Sequence, residues 1–295
     1  AQDGPIRIIV SLPAGGGVDT MARYLAQQVG QVLDRSVFVE NRPGASGTIA
    51  AKAVISAPPA QTTLLAGGNQ EITIAPHLIN SHGYKPLESL LPLMQVGTVP
   101  SVLVAPPGAD ASEEAFVRKL RSAAGVAIGT PGLGTPMHIA LEELAAQAKG
   151  TMLHVPYKGA PDVLAGVLAG STPYGAVGYP AARNLIESGK LVAVSVLANQ
   201  PSDLAPGVPA IGQKMRIKRP IAQVWYGLFA PAHTPPDERK RIETALATVM
   251  KDAAVRARLA ELGIQVTALP PDAFRRALLA ESNDFRQALS EHKIQ

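Results

Sequence analysis

Two runs of β-branched residues near the start of the chain, Ile6, Ile8, Ile9 and Val10 and then Val37-Phe38-Val39, enclose a stretch in which Val18, Met21, Leu25, Val29 and Val32 recur at helical spacing. A glycine-rich break from Pro13 to Gly17 separates the first run from the helix. Strand, turn, helix and strand in that order make a βαβ unit. Its strands are continuously apolar rather than alternating, which predicts an α/β fold around a parallel sheet covered on both faces. The rhythm continues with a helix over 48–57 and a strand over 62–65.

The pattern restarts after the strand 101–105, which runs into Pro106-Pro107-Gly108. Helices are expected over 112–123 and 161–168 and from Thr135-Pro136 onward, since Thr at the N-cap with Pro at the first helical position is a strong start signal. Strands are expected over 126–129, up to Val155, over 174–178 and over 191–197. A strand over 225–229 leads into Pro231, Pro235 and Pro236, and helices over 237–254, 255–262 and 272–291 close the chain. The two proline-bounded strands read as crossings between two α/β lobes. Residues 1–104 with 226–295 would form the first lobe and 105–225 the second.

Composition removes several functions. The 295 residues carry a net charge of +4, and aromatics are only 4%, too few for a nucleic-acid stacking surface. A hydrophobic content of 46% excludes disorder. There is no cysteine, so disulfides, thiolate catalysis and cysteine-ligated zinc are all excluded. The long uncharged runs at 89–109 and 163–182 are broken by Pro and Gly and lack the roughly 20 continuous apolar residues of a membrane helix. The chain opens on Ala1-Gln2 without a basic segment leading into an apolar one, so an export signal is expected to be absent from it. The basic run Lys214, Arg216, Lys218 and Arg219 reads as a solvated segment or as a contact for an anionic partner.

Two turns carry candidate chemistry. In Pro13-Ala14-Gly15-Gly16-Gly17-Val18-Asp19-Thr20 the glycines let the backbone approach a ligand, and the free N–H groups at the following helix start suit an anion. A turn without a ligand is the plain alternative, with Asp19 as a cap. A third reading is a dinucleotide fingerprint, with Gly15 and Gly17 as the first glycines, Thr20 at the third small position and Glu40 ending the second strand. The second turn, Gly129 to His138, repeats the physics: Thr130, Gly132 and Thr135 could face a ligand, with His138 either a contact or a cap-region residue. Serine-hydrolase, zincin and P-loop signatures are missing, and the histidines at 77, 82, 138, 154, 233 and 292 lack metal-ligand spacing. Glu142-Glu143 read as the solvated face of a helix.

The stretches IRIIVSLPAGGGVDTMARYLAQQVGQVL from Ile6, VFVENRPGASGTIAA from Val37, IGTPGLGTPMHIALEEL from Ile128, HVPYKGAPDVLAGVLAG from His154 and WYGLFAPAHTPP from Trp225 resemble the Bug (TctC-like) extracytoplasmic solute receptors of tripartite tricarboxylate transport systems. The resemblance covers the chain nearly end to end. It implies a type II periplasmic binding protein fold, two α/β lobes that close by a hinge over one small organic carboxylate. In the family the two turns grip one carboxyl group. Carried over, this assigns Pro13, Ala14, Gly15, Gly16, Gly17 and Asp19 in one lobe, and Thr130, Gly132, Thr135, Pro136 and His138 in the other. Gly67-Gly68-Asn69 and Gly178-Tyr179-Pro180 occupy cavity-lining places. Ala75-Pro76 stands where the family usually has Asn-Pro, and Pro59-Ala60-Gln61-Thr62 where it has Asp-Gly-Tyr-Thr. The implied protein is a monomeric periplasmic receptor, not an enzyme. It would use no metal or cofactor, bind no nucleic acid, and deliver its ligand to membrane transporter subunits. A nucleotide-dependent enzyme built on the first βαβ unit, and a ligand sensor docking on a signalling partner, are the alternatives.

Overall fold

The computed structural model describes residues 4–78, 83–108, 110–215 and 223–294. The chain divides into two compact units, Ala1–Thr98 with Trp225–Asn283, and Val99–Val224 with Asp284–Gln295. The first begins with β1 (Ile6–Val10), α1 (Gly17–Leu33) and β2 (Val37–Asn41), then α2 (Thr48–Ile55) and β3 (Thr63–Gly67). Short helices α3 (Ala75–Leu78) and α4 (Pro86–Ser89) precede β4 (Leu90–Val99). β1 pairs in parallel with β2 and with β3, as the βαβ pattern requires. Helix α1 buries Val18, Met21, Ala22, Leu25, Ala26 and Val29, whereas Val32 is half exposed. β4 escaped the sequence reading because Pro92 and Gly97 interrupt it.

In the second unit β5 (Ser101–Ala105) is followed by α5 (Glu113–Leu120), β6 (Val126–Thr130), α6 (Pro136–Ala148) and β7 (Met152–Pro156). Helix α7 (Ala160–Leu168), β8 (Tyr174–Gly178), α8 (Tyr179–Glu187) and β9 (Val192–Val196) complete it. The sheet order is β7-β6-β8-β5-β9. β6 runs parallel to β7 and β8, but β5 is antiparallel to both β8 and β9. Those ladders put 101–104 in the second unit, although the sequence assigned them to the first lobe. Helix starts follow their caps: Ser112 Oγ accepts from Ala115 N–H at 3.2 Å, and Thr135 Oγ1 accepts from His138 N–H at 3.3 Å. Glu143 corrects the expected solvated pair: it is buried, because α6 is covered nearly all round. Of the basic run, Arg216, Lys218 and Arg219 lie outside the described residues, and Lys214 is ion-paired with Glu114.

The chain returns to the first unit through β10 (Val224–Pro231), α9 (Pro236–Val249), α10 (Ala253–Glu261), β11 (Gln265–Leu269) and α11 (Pro271–Glu291), whose last turns, from Asp284, belong to the second unit. The first sheet then reads β11-β4-β10-β3-β1-β2. β10 and β11 are antiparallel to β3 and β4, so the sheet is mixed, not all parallel. Asp252, accepting from Ala254 N–H at 2.8 Å, starts α10 at Ala253, a little before the expected boundary between helices 237–254 and 255–262. Trp225, Phe229 and Phe274 meet at ring-centroid separations of 5.1–6.1 Å in the core with Ile9, Leu65 and Leu278. Such aromatic pairs add about 0.5–1.5 kcal/mol each beyond area burial.

One buried ion pair ties the early chain to the late chain. Arg35 donates to Glu238 Oε1 at 2.5 Å, with both side chains at most 4% exposed, and to the Gly4 carbonyl. Thr62 Oγ1 donates to the same Glu238 oxygen at 2.9 Å. Removing one partner leaves the other charge buried and unpaired, so Glu238→Ala is expected to cost about 3–5 kcal/mol. Urea unfolding with an unchanged m-value reads this as a lower midpoint. A loss below about 1 kcal/mol would show that Arg35 re-solvates without penalty.

Candidate functional site

At the start of α1, Gly16 is the N-cap and no side chain caps the helix. The first intrahelical bond is Thr20 N–H to Gly16 O, so the N–H groups of Gly17 and Val18 are left without a helical acceptor. Pro13, Ala14, Gly15 and Gly17 are exposed, and their main chain is reachable. Asp19 is buried, and its carboxylate accepts from Gly15 N–H at 2.9 Å, Arg23 Nε at 3.0 Å and Asn41 Nδ2 at 2.9 Å. Burial alone would raise its pKa, but these bonds outweigh burial and hold it below the usual value. Asn41 Nδ2 also donates to Leu12 O at 3.0 Å. Asp19 therefore clamps the turn from both sides, and the groups left outward are main-chain donors.

The glycines serve separate ends. Gly15 has φ +81°, which favours glycine. A side chain at Gly17 would collide with Tyr226, whose phenol oxygen would lie 2.5 Å from the added Cβ. Tyr226 was missed by the sequence reading, although it stands inside the quoted WYG run. The dinucleotide alternative loses its acidic residue: Glu40 is ion-paired with Arg7 at 3.5 Å and Arg42 at 2.6 Å, not poised for a ribose.

After β3 the sequence assigned Asn69 to the site, and the structure shows both ends of its amide engaged within the protein. Its Oδ1 accepts from Trp225 N–H at 3.3 Å, and its Nδ2 donates to Glu281 at 2.9 Å. Thr73 and Trp225 Nε1 donate to the same Glu281 carboxylate. Asn69 thus fastens β10 and α11 to the end of β3. Beside it lies Glu71, which no motif suggested. Its buried carboxylate accepts from Gly68 N–H at 2.9 Å and occupies the space that side chains at Gly67 or Gly47 would take. Burial outweighs the hydrogen bonds to its carboxylate, that from Gly68 among them, and raises its pKa to about 7.

In the second unit the turn after β6 is shaped from within. Thr130 and Thr135 hydroxyls both donate to Gly132 O, at 3.0 and 3.1 Å. Gly134 N–H donates to His138 Nδ1 at 3.0 Å, which assigns the proton of that ring to Nε2, 3.6 Å from Glu142. The Thr130 oxygen lies 2.7 Å from His154 Nε2; since its own proton goes to Gly132, His154 is the donor. The two imidazoles stack at 3.6 Å between centroids and 12° between planes. Burial, followed by the facing His138, pushes His154 down to about 4, so the His154 ring is uncharged near neutrality. The Thr130, Thr135 and His138 side chains are spent on the turn itself. Leu133, held between Gly132 and Gly134, is 49% exposed, and the buried Pro136 opens α6 as the N-cap pattern predicts. Met137 N–H precedes the first bond of α6, Ile139 N–H to Thr135 O, apart from the capped His138.

Tyr179, which the sequence also assigned to the site, is buried. It is 5% exposed and packs in the core with Val102, Val177 and Ala182, while its N–H bonds Pro100 O at 2.8 Å. Pro180 sits half-buried in the first turn of α8. Among the described residues, no group of His, Cys, Asp and Glu is arranged to hold a metal ion. No described helix is long and apolar enough to cross a membrane.

Two mixed-sheet α/β units, each with a glycine-rich turn running into a helix start, define the two-lobe binding-protein class. Solved structures of that class superpose closely. Rpa4515 of R. palustris, solved with adipate, gives a TM-score of 0.87 at 22% identity, covering 98% of this chain and 97% of its own. MatC (Rpa3494) from Rhodopseudomonas palustris, solved with malate, gives 0.84 at 23%, covering 97% and 98%. The family model for the tripartite tricarboxylate transporter family receptor, TctC, matches residues 21–289. Protein BugT of Bordetella pertussis is 33% identical over 235 residues, spanning 79% of this chain and 72% of BugT. The chain belongs to the TctC family of solute-binding receptors.

Glu71 gives the site region a pH signature. Its folded pKa of about 7 lies above the ordinary value of 4.5, so the native state keeps a proton that the unfolded chain has released. The associated stability is complete below about pH 4.5 and is lost as pH rises through 7. Glu71→Gln is expected to flatten this dependence and to exceed the wild type at pH 8, by an amount of order 3 kcal/mol. Thermal unfolding from pH 5 to 8 checks it; parallel curves for both proteins would contradict the assignment.

Proposed function

We propose that this chain is a periplasmic receptor that holds a small organic carboxylate on main-chain donors and hands it to the membrane subunits of a tripartite transporter. The observation that carries this reading is the economy of the two turns. Asp19, Thr130, Thr135 and His138 are all engaged internally, while the N–H groups of Gly17 and Val18 at one helix start and Met137 at the other are left for an anion. Each helix terminus contributes about 0.3–1 kcal/mol toward a negative charge, and each hydrogen bond to a charged group about 1.5–3. A micromolar constant needs about 8 kcal/mol, within reach of a few such bonds together with burial of the carbon skeleton. The adipate and malate held by the two solved relatives support a carboxylate as the ligand class. In this role the protein binds and releases its ligand unchanged, and the donors need only be held in place beforehand.

Isothermal titration with adipate, malate, a tricarboxylate and their amides, alongside NAD, FAD and ATP, tests the reading. At least one acid is expected to bind at micromolar or better and to stabilise the fold by about 2.7 kcal/mol at one hundred times its dissociation constant. Amides and nucleotides are expected to leave the melting temperature unchanged. Binding of a nucleotide with no acid bound would overturn the proposal.

A further inference from the structure

Gly17 lacks a side chain where another residue's group stands. A Cβ built on it would lie 2.5 Å from the phenol oxygen of Tyr226 and 3.1 Å from two of its ring carbons. Tyr226 belongs to β10, in which successive side chains alternate between faces. Trp225 points to Glu281 and the α11 side, and Tyr226 takes the opposite face, against the first residue of α1. The phenol oxygen is thereby brought beside the unbonded N–H groups of Gly17 and Val18. Among the described residues, none exchanges a hydrogen bond with it. Burial pushes the phenol up to about 12, so the oxygen carries its proton, and remains a donor, at every working pH.

We propose that Tyr226 is a specificity-determining residue of the receptor, its hydroxyl donating to the carboxylate held at the start of α1. This rests on the carboxylate reading above and names a third donor for it. The N–H groups of Gly17 and Val18 approach the anion from the helix axis, and the hydroxyl approaches from the adjoining strand. An O–H donor to a carboxylate forms one of the shorter and stronger hydrogen bonds available to a side chain. The hydroxyl is also selective. An amide offers the O–H only a neutral carbonyl, and a hydrogen bond to a neutral acceptor is about half as strong as one to a carboxylate. Gly17 belongs to the same device, because any side chain there would push the phenol off the helix start.

The test is titration of whichever acid of the panel binds most tightly, and of its amide, to the wild type, Tyr226→Phe, Gly17→Ala and the double variant. Tyr226→Phe keeps the ring and removes only the oxygen, so the ligand-free melting temperature is expected to stay within about 2 °C. Its affinity for the acid is expected to fall about 10- to 100-fold, with the acid-to-amide preference falling by a smaller factor. Gly17→Ala is expected to lose affinity as well, and the double variant no more than the greater single loss, since both act through one hydroxyl. Acid affinity within twofold of wild type in Tyr226→Phe, or losses that multiply in the double variant, would overturn this inference while leaving the proposed function intact. A wild type that binds none of the acids would overturn both.

Discussion

The Asp19 carboxylate takes donors from three directions: the Gly15 N–H behind it in the turn, the Arg23 guanidinium one helical turn ahead, and the Asn41 amide at the end of the neighbouring strand. The glycine-rich turn at this end of the first unit depends on that convergence. A negative charge in the first turn of α1 is stabilised by the helix dipole. Placed deeper, it would compete with a ligand; bound to Gly15 and Asn41, it draws the turn tight and leaves the first helical N–H groups facing away. The cost of burying the charge is offset by hydrogen bonds to its ionised form, which is why the carboxyl stays acidic in a buried setting.

The second unit reaches a comparable geometry with uncharged parts. Two threonine hydroxyls converge on one carbonyl, and a neutral imidazole accepts from Gly134 while a second imidazole stacks on it. The tautomers follow from the direction of each bond, and the low His154 pKa keeps that ring neutral. The difference is instructive: one turn is set by a charge with many donors, the other by a chain of dipoles that has to be satisfied throughout or not at all.

Much of this was legible in the sequence, because strand and helix periodicity, caps and glycine breaks are local signals. β1, α1, β2 and β8 fell where their apolar runs placed them, and Thr135-Pro136 marked the start of α6. β4 and β11 did not, since a proline inside one and the short, irregular pairing of the other hide their periodicity. Antiparallel pairing of β10 was equally hidden, as strand direction is set by the route of the chain rather than by its residues. At the site, residue type gave no sign of internal partners. Asn69, His138 and Tyr179 were singled out in a linear reading that does not show Trp225 and Glu281, Gly134 and His154, or an apolar core as their neighbours. Tyr226 and Glu71 were passed over because what makes them matter is the missing side chain of a glycine, far away in sequence for Tyr226 and both near and more distant for Glu71, a relation no motif displays.

The sheet order of the first unit also bears on how the protein is made. β10, some 150 residues after β3, lies between β3 and β4 in the sheet. During synthesis the residues up to Thr98 therefore emerge with the middle of their sheet vacant, and two strand edges stay open until the whole second unit has followed. Arg35 likewise waits for Glu238 before its charge is matched. The second unit, nearly continuous in sequence, can close as it emerges, whereas the half that carries Asp19 and Tyr226 is assembled last although its first strand is the first to be made.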